Sequence, residues 1–570
     1  MRILLFPLFL FIGLFFNPSA FATIHPSNNA VLNFTQVMFE YDETPGADDY
    51  RVTIRPAGKQ DSAIVISNTS LAFIQNSGLE FGKQYVWYYE AFKKGTRLLK
   101  SENFFFEIRF AFQTNKLWFR SAVDISDQKG YRNGIIFLDY MGLAINRNGE
   151  PVWYMPLEKD SLENLKMRNV KMTTGGTITY LDNTDCFEKD IFGNTLWKAP
   201  NDGFISGDKQ EYYHHDFFKT DDGAYITSGY RFANEFNYYD KSVVTKVRYN
   251  TLIQYDHTGK VTWSWDEEKH VSKKSIYGDN GAGATDITGT HLNGMAYYKE
   301  DDALILSFRD NSSILKISKK TGDILYNLGD SLRKYNPAEI PFAGQHGPSL
   351  LKNGGIVVYN NNLDRSGKRE GPSYPLVRIF SQPKGKTQSK KVWEYECVSE
   401  KYPGGIRGKE GYASQLSYNN NLLVCMGGAN YIFEVSPEKK VVWRCGFEQF
   451  DEANVRWKDI MNYRCSYASS LYPCYFTLQN GHFENKNGKQ VIGFRINNEG
   501  TEDFMYEAEI RDPQGKLIQS LRRASLSAGK KQNISVPLSP GIKNSPAVTL
   551  TVIVNKQTPL VTRELVIKLQ

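Results

Sequence analysis

Eight histidines occur in the 570-residue chain, and three of them open closely related phrases. His215 begins HDFFKTDDGAYI and His346 begins HGPSLLKNGGIV. In both, a glycine (Gly223, Gly354) stands eight residues on and an apolar strand follows. His291 begins HLNGMAYYKEDDALI, the same scheme with about three extra residues before the strand, and Arg309 in SFRDNSS lies just beyond that strand. Imidazoles and a guanidinium in register suit an anionic substrate. Arginine presents a planar fork of donors to oxyanions, and a neutral histidine acts near pH 7 as a nucleophile or a proton donor. Three imidazoles can also ligate zinc, but Arg309 beside them would repel a cation, which favours the anion. His257 falls in a hairpin turn and is expected to be inert, and His214 to face away from His215. Tyr212, Tyr213 and Phe217 flank His215 and either stack an aromatic ring or pack the strands. The loop Gly278–Ala284 lacks the phosphate-cradling GxxxxGK[ST] pattern and reads as a flexible rim or lid.

Side chains this far apart in sequence need a repetitive scaffold to bring them together. One phrase recurs six times: LAINRNGEPVW (143–153), DCFEKDIFGNTLW (185–197), LIQYDHTGKVTW (252–263), ILKISKKTGDILY (314–326), VRIFSQPKGKTQSKKVW (377–393) and IFEVSPEKKVVW (432–443). Each is a β-hairpin signal, alternating apolar residues around a polar turn, and further apolar strands such as Thr177–Tyr180 and Ile356–Tyr359 lie between copies. About four strands per copy, with copies 44 to 67 residues apart, predict a six-bladed β-propeller over 116–475. Equivalent positions of different blades then face one central channel, which is where His215, His291, His346 and Arg309 converge. Short alternating strands without the phrase predict immunoglobulin- or fibronectin-like sandwiches at 23–115 and 476–570. The fold class is all-β, in keeping with 14% aromatic residues.

Composition narrows the rest. With 41% hydrophobic and 23% charged residues the chain is globular, and a net charge of +7 over so many charged groups does not suggest nucleic-acid binding. Met1-Arg2, the apolar run Ile3–Phe16 and the ending Ala20-Phe21-Ala22 read as a signal peptide, residues 1–22. Export to the periplasm or beyond, without stable membrane insertion, is the expectation. Six cysteines in an oxidising compartment permit disulfides, and Cys465–Cys474 is the favoured pair. No CxxC spacing and no Cys–His adjacency points to a metal. No cofactor is expected. Oligomeric state is open, a homodimer included.

Four segments carry a resemblance: YHHDFF, THLNGMAYYKEDDALILSFR, GQHGPSLLKNGGIVVYNN and LIQYDHTGKVTWSWD. They resemble the bacterial arylsulfate sulfotransferases, periplasmic six-bladed propellers with an N-terminal β-sandwich, over about 116–475. The resemblance implies sulfuryl transfer from an aryl sulfate donor to a phenolic acceptor through a sulfated histidine, with no nucleotide sulfate. It implies His346 as the nucleophile, His291, Asn293 and Arg309 as ligands of the sulfuryl oxygens, and His215 for proton transfer or oxygen binding. Two features depart from the pattern. No acidic residue follows His346, whereas Asp216 follows His215, so the group that orients His346 is not legible. Ser414 in the sixth copy is a candidate for an extra hydroxyl. The competing readings are an exported binding scaffold, which needs no His–Arg cluster, and a quinoprotein-like dehydrogenase, which wants eight blades and calcium.

Overall fold

The computed structural model describes residues 24–570 apart from 60–61, 112–113, 116–117, 129, 157–166, 183–184, 279–280, 330–341, 364–373, 384–388, 399–409, 430, 487–488, 539–546, 555–561 and 570. The proposed signal peptide, 1–22, thus lies outside the described residues. The fold is all-β; the only α-helices among the described residues are Glu267–His270 and Lys273–Tyr277. No described helix is long and apolar enough to cross a membrane.

Each of the six repeated phrases forms the third and fourth strands of an antiparallel sheet built on four strands. In the fourth sheet, for example, Leu292–Tyr298, Ala303–Phe308, Ser313–Ser318 and Ile324–Gly329 pair in chain order. The turns explain the phrase. Gly149, Gly193, Gly259 and Gly322 hold φ between 79° and 91° where strand three turns into strand four, and Lys439 takes that left-handed conformation in the sixth copy. The first sheet departs from chain order. Its strands Ile135–Leu138, Leu143–Asn146 and Pro151–Tyr154 are completed by Cys465–Ala468, which pairs antiparallel to 135–138 from the far end of the repeat region.

The repeated aromatics link each sheet to the next. Trp153 Nε1 donates to Ile191 O of the second sheet (2.8 Å), and Trp197 stacks on Tyr225 of the third at 3.8 Å. From the third, the donor is Trp265 rather than Trp263, to Gly322 O of the fourth (3.0 Å). Tyr326 donates to Gln382 of the fifth (3.3 Å) and Trp393 to Pro437 O of the sixth (2.8 Å). Trp443 returns from the sixth sheet to Arg147 O of the first (2.8 Å). The contacts run through all six sheets and back to the start.

The N-terminal sheet of 30–32, 49–56, 64–68, 83–93, 96–100 and 104–108 faces the pair 37–40 and 72–75 across a core holding Phe39, Trp87 and Phe106. That core continues into Trp153 and Ile178 of the first two repeat sheets. A C-terminal unit pairs a three-stranded with a four-stranded sheet around Phe494, Ile510 and Val552. Arg563 ties it to Glu40 of the N-terminal unit in a two-pronged ion pair (2.5 and 2.9 Å).

The expected Cys465–Cys474 disulfide is not formed. Cys465, on the strand that completes the first repeat sheet, is buried in the core shared with the sixth, and Cys474 in the C-terminal core, so the short segment between them crosses from one core to another. All six thiols are free and buried, and burial pushes the Cys474 thiol up to about 12.

Candidate active site

Several first strands of the sheets have irregular backbone at or near their start. Asn169, His215 and His291 all have left-handed φ (57°, 61° and 59°), as does Gly347 at 44°. For non-glycine residues that conformation costs roughly 1–3 kcal/mol each and persists only where neighbours enforce it. Around His215, Asp216 N donates to His214 O (2.7 Å) and both flanks bond to Ser228. Around His291, Leu292 N donates to Asn250, and Thr290 bonds to Asn250 and to the buried carboxylate of Glu267. The ladder resumes past a register shift in the second, fourth and fifth sheets.

The histidines meet there. The rings of His215 and His291 lie 5.0 Å apart, and Tyr463 lies 6.0 Å from His215 and 6.4 Å from His346. Arg309 N donates to His291 O (3.0 Å), and the guanidinium is close enough to His291 and His346 to depress the basicity of both. Asn293 Nδ2 donates to the carbonyl of Gln345, the residue before His346 (2.7 Å), while its Oδ1 is buried without a partner among the described residues.

Hydrogen bonds set the tautomers. Asn361 Nδ2 donates to Glu410 O (2.8 Å), so its Oδ1 is the atom facing His346 Nδ1 at 2.7 Å. That acceptor requires Nδ1–H and leaves Nε2 with a free lone pair. His214 does not face away, as the sequence led us to expect. Its Nε2 donates to Gly229 O (3.0 Å), so its Nδ1 accepts from His215 Nδ1–H at 2.7 Å. His215 Nε2 is therefore also unprotonated. On the role that the resemblance implies for His346, removing the Asn361 anchor, as in Asn361→Leu, is expected to slow donor turnover roughly 10²–10⁴-fold by freeing the wrong tautomer, while Kd for an unreactive aryl sulfonate stays near native. Turnover within threefold of native in that variant would remove Asn361 from this role.

Burial first, and neighbouring cations second, keep these rings neutral. His214 and His346 are lowered to about 3 and His291 to about 2, with Arg248 the leading cation at His214 and Arg309 at the other two. His215 lies well below its usual 6.5. An unfolded chain protonates these groups below about 6.5 and the folded chain does not, so between pH 6.5 and 3 the unfolded state binds more protons. Stability is full above pH 6.5 and falls on acidification. Urea midpoints are expected to drop steadily from pH 7 to pH 4, with proton uptake on unfolding; a flat profile would show that the imidazoles titrate normally.

Beneath the rings lies a charged hub. Arg464 donates to Asp216 (2.8 Å), Asn169 Oδ1 (3.2 Å) and Asn293 O (2.9 Å). Asp216 also accepts from Met295 N (2.8 Å) and Asn169 Nδ2. Burial works against the Asp216 charge, but Arg464 and Lys171 hold its carboxyl below the usual range. Asp139 accepts backbone N–H bonds from Tyr140, Asn169, Tyr463 and Arg464, which oppose a burial effect that pushes it up to about 7. Asp216 is thus a strut of this hub, and does not orient His215.

Sequence reading missed Asn361, Arg168, Tyr463 and Arg464. Asn361 stands just past the second strand of the fifth sheet, the place that singled out Arg309 in the fourth, and was legible on that criterion. Arg168 precedes left-handed Asn169 as His214 precedes His215; its Nε is buried with no partner among the described residues. Tyr463 and Arg464 precede the closing strand, for which the repeat has no phrase. Ser414 lines a separate cavity with Lys171, Ser349 and Leu350. Tyr213 and Phe217 are buried packing residues, and Tyr212 is partly exposed. Gly281 and Ala284 of the glycine-rich loop accept from Asn237 (2.7 and 3.1 Å), which ties that loop to a hairpin; Asp279 and Asn280 lie outside the described residues.

The family model for arylsulfotransferase (ASST) matches residues 124–467, a span that holds every residue of this site. No curated protein matches. Among solved structures, the chain is similar to the extracellular domain of a putative one-component system, BT4673, from B. thetaiotaomicron (10% identity, TM-score 0.30), covering 84% of this chain and 61% of that one. It is also similar to an auxiliary nutrient binding protein from Bacteroides thetaiotaomicron (10% identity, TM-score 0.29, 74% and 92% of the two chains).

Proposed function

The chain belongs to the arylsulfotransferase family, and from that premise we propose that it moves a sulfuryl group from an aryl sulfate to a phenolic acceptor in two steps through His346. The observation that carries the reading is the bond between His346 Nδ1 and Asn361 Oδ1, which leaves Nε2 unprotonated among histidines and Arg309. In the first step Nε2 attacks sulfur, the S–O bond to the aryl group breaks, and the phenolate leaves with the electron pair. Splitting one difficult transfer into two easier ones is the gain of a covalent intermediate. Arg309, His291 and Asn293 stabilise charge on the sulfuryl oxygens, and Arg168 adds a further cation to the pocket. In the second step a phenol attacks the sulfur, the S–N bond breaks back onto Nε2, and the phenol proton passes to His215 Nε2. That proton goes to the next departing phenolate. Neutral rings make both roles available at pH 7.

The same reading takes the six sheets as blades of a propeller, residues 116–475, between sandwiches at 23–115 and 476–570. The cycle of aromatic contacts and the strand 465–468 that completes the first sheet support it. It places the protein in the periplasm, after a signal peptide at 1–22. The test is intact mass after brief mixing with p-nitrophenyl sulfate and no acceptor. One SO₃ gained, with one nitrophenol released, is the expected result. Neither adduct nor nitrophenol, even with phenol present, would overturn it in favour of a non-catalytic binding protein.

A further inference from the structure

One hairpin is out of scale with the rest. In the third sheet Tyr225–Phe236 and Val244–Tyr255 are twelve residues each, paired without a break, where the second strands of the other repeat sheets have four to six. His214 N bonds to Ser228 O and Tyr230 N to Tyr212 O, so the strand passes the histidines at Ser228–Tyr230 and runs on for six residues. At about 3.4 Å per residue that overhang is roughly 20 Å.

Its two faces differ. Ala233, Val247 and Tyr249 pack on Ile276 and Tyr277, and Glu235 bonds to Tyr249 and Tyr277 (both 2.8 Å). The other face is open: Phe232 is 38% exposed, Phe236 65% and Val244 58%. It is also continuous with the site. His214 lies 5.3 Å from the ring of Tyr230, which stacks on Tyr212 at 5.0 Å, and Phe232 meets both tyrosines edge-on. Cations line the same face. Arg248 sits 5.1 Å over Tyr230 and Lys246 4.1 Å over Phe232. Aromatic rings pair by stacking and edge contacts, and the cations complement a sulfate.

We propose that this open face is a binding platform for the aromatic part of multi-ring aryl sulfates and phenols, delivering the sulfate or hydroxyl end to the histidines past His214. The inference rests on the transferase reading for its direction, but binding tests it without turnover. The probes are 2-naphthalenesulfonate and benzenesulfonate, whose C–S bonds transfer does not split, titrated calorimetrically into the native protein. The two-ring probe is expected to bind about tenfold tighter. Tyr212→Ala and Phe232→Ala should each erase most of that preference, whereas Phe105→Ala, an exposed aromatic of the N-terminal sheet, should keep it. Equal affinities, a preference that survives both variants, or no binding at millimolar probe would overturn the platform. Naphthalenesulfonate binding that depends on Tyr212 and Phe232 without any nitrophenol release would keep the platform and sink the transferase reading.

Discussion

His346→Ala is expected to abolish both the SO₃ adduct and nitrophenol release, lowering turnover roughly 10⁴-fold or more, since a lost nucleophile is not replaced by the groups around it. The position tolerates the change better than its burial suggests. Asn361, which faces its Nδ1, keeps its own bond to Glu410 O. A thermal midpoint within a few degrees of native therefore accompanies the loss. The informative comparison is His215→Ala. It should still form the adduct from p-nitrophenyl sulfate, whose phenolate needs little help, but pass the group slowly to phenol, about 10²–10⁴-fold below native. An adduct on His346→Ala would move the nucleophile to another ring. Equal loss of both half-reactions in His215→Ala would make His215 a structural member of the cluster.

Arg464→Met is the second large effect, and it acts on stability. The guanidinium holds Asp216, Asn169 and the carbonyl of Asn293, all buried. Without it Asp216 keeps Asn169 and the Met295 N–H but loses its closest cation, and stranding a buried charge costs about 3–5 kcal/mol. Asp216→Asn should recover part of that cost in the double variant, because the charge left behind is gone. Urea unfolding of the four proteins reads the coupling. Additive losses would mean that Arg464 acts through its ring contacts with Tyr412 and Tyr463 and not through the ion pair.

The sheets were legible because each hairpin writes its own turn and alternation into contiguous residues, and His215, His291, His346 and Arg309 because they sit at matching points of that pattern. What escaped was long-range. Nothing within 465–468 marks it as a strand of the first sheet, and Arg464 and Tyr463 enter the centre only through that pairing. His214 escaped for the opposite reason. Adjacent residues on a strand point to opposite faces, but the left-handed turn at His215 cancels the alternation and lets the two rings meet.

The pairing of 135–138 with 465–468 also sets an order of assembly. A chain growing from its N-terminus at about 5–20 residues per second spends its synthesis with Ile135–Leu138 as an open strand edge. Asp139 waits equally long for the Tyr463 and Arg464 amides. The surroundings of the histidine cluster thus wait for one slow, non-local step late in the chain. A chain cut short before residue 465 is a sticky intermediate without a finished centre, whereas a new terminus opened between 154 and 167, with the old ends joined, would leave every sheet intact.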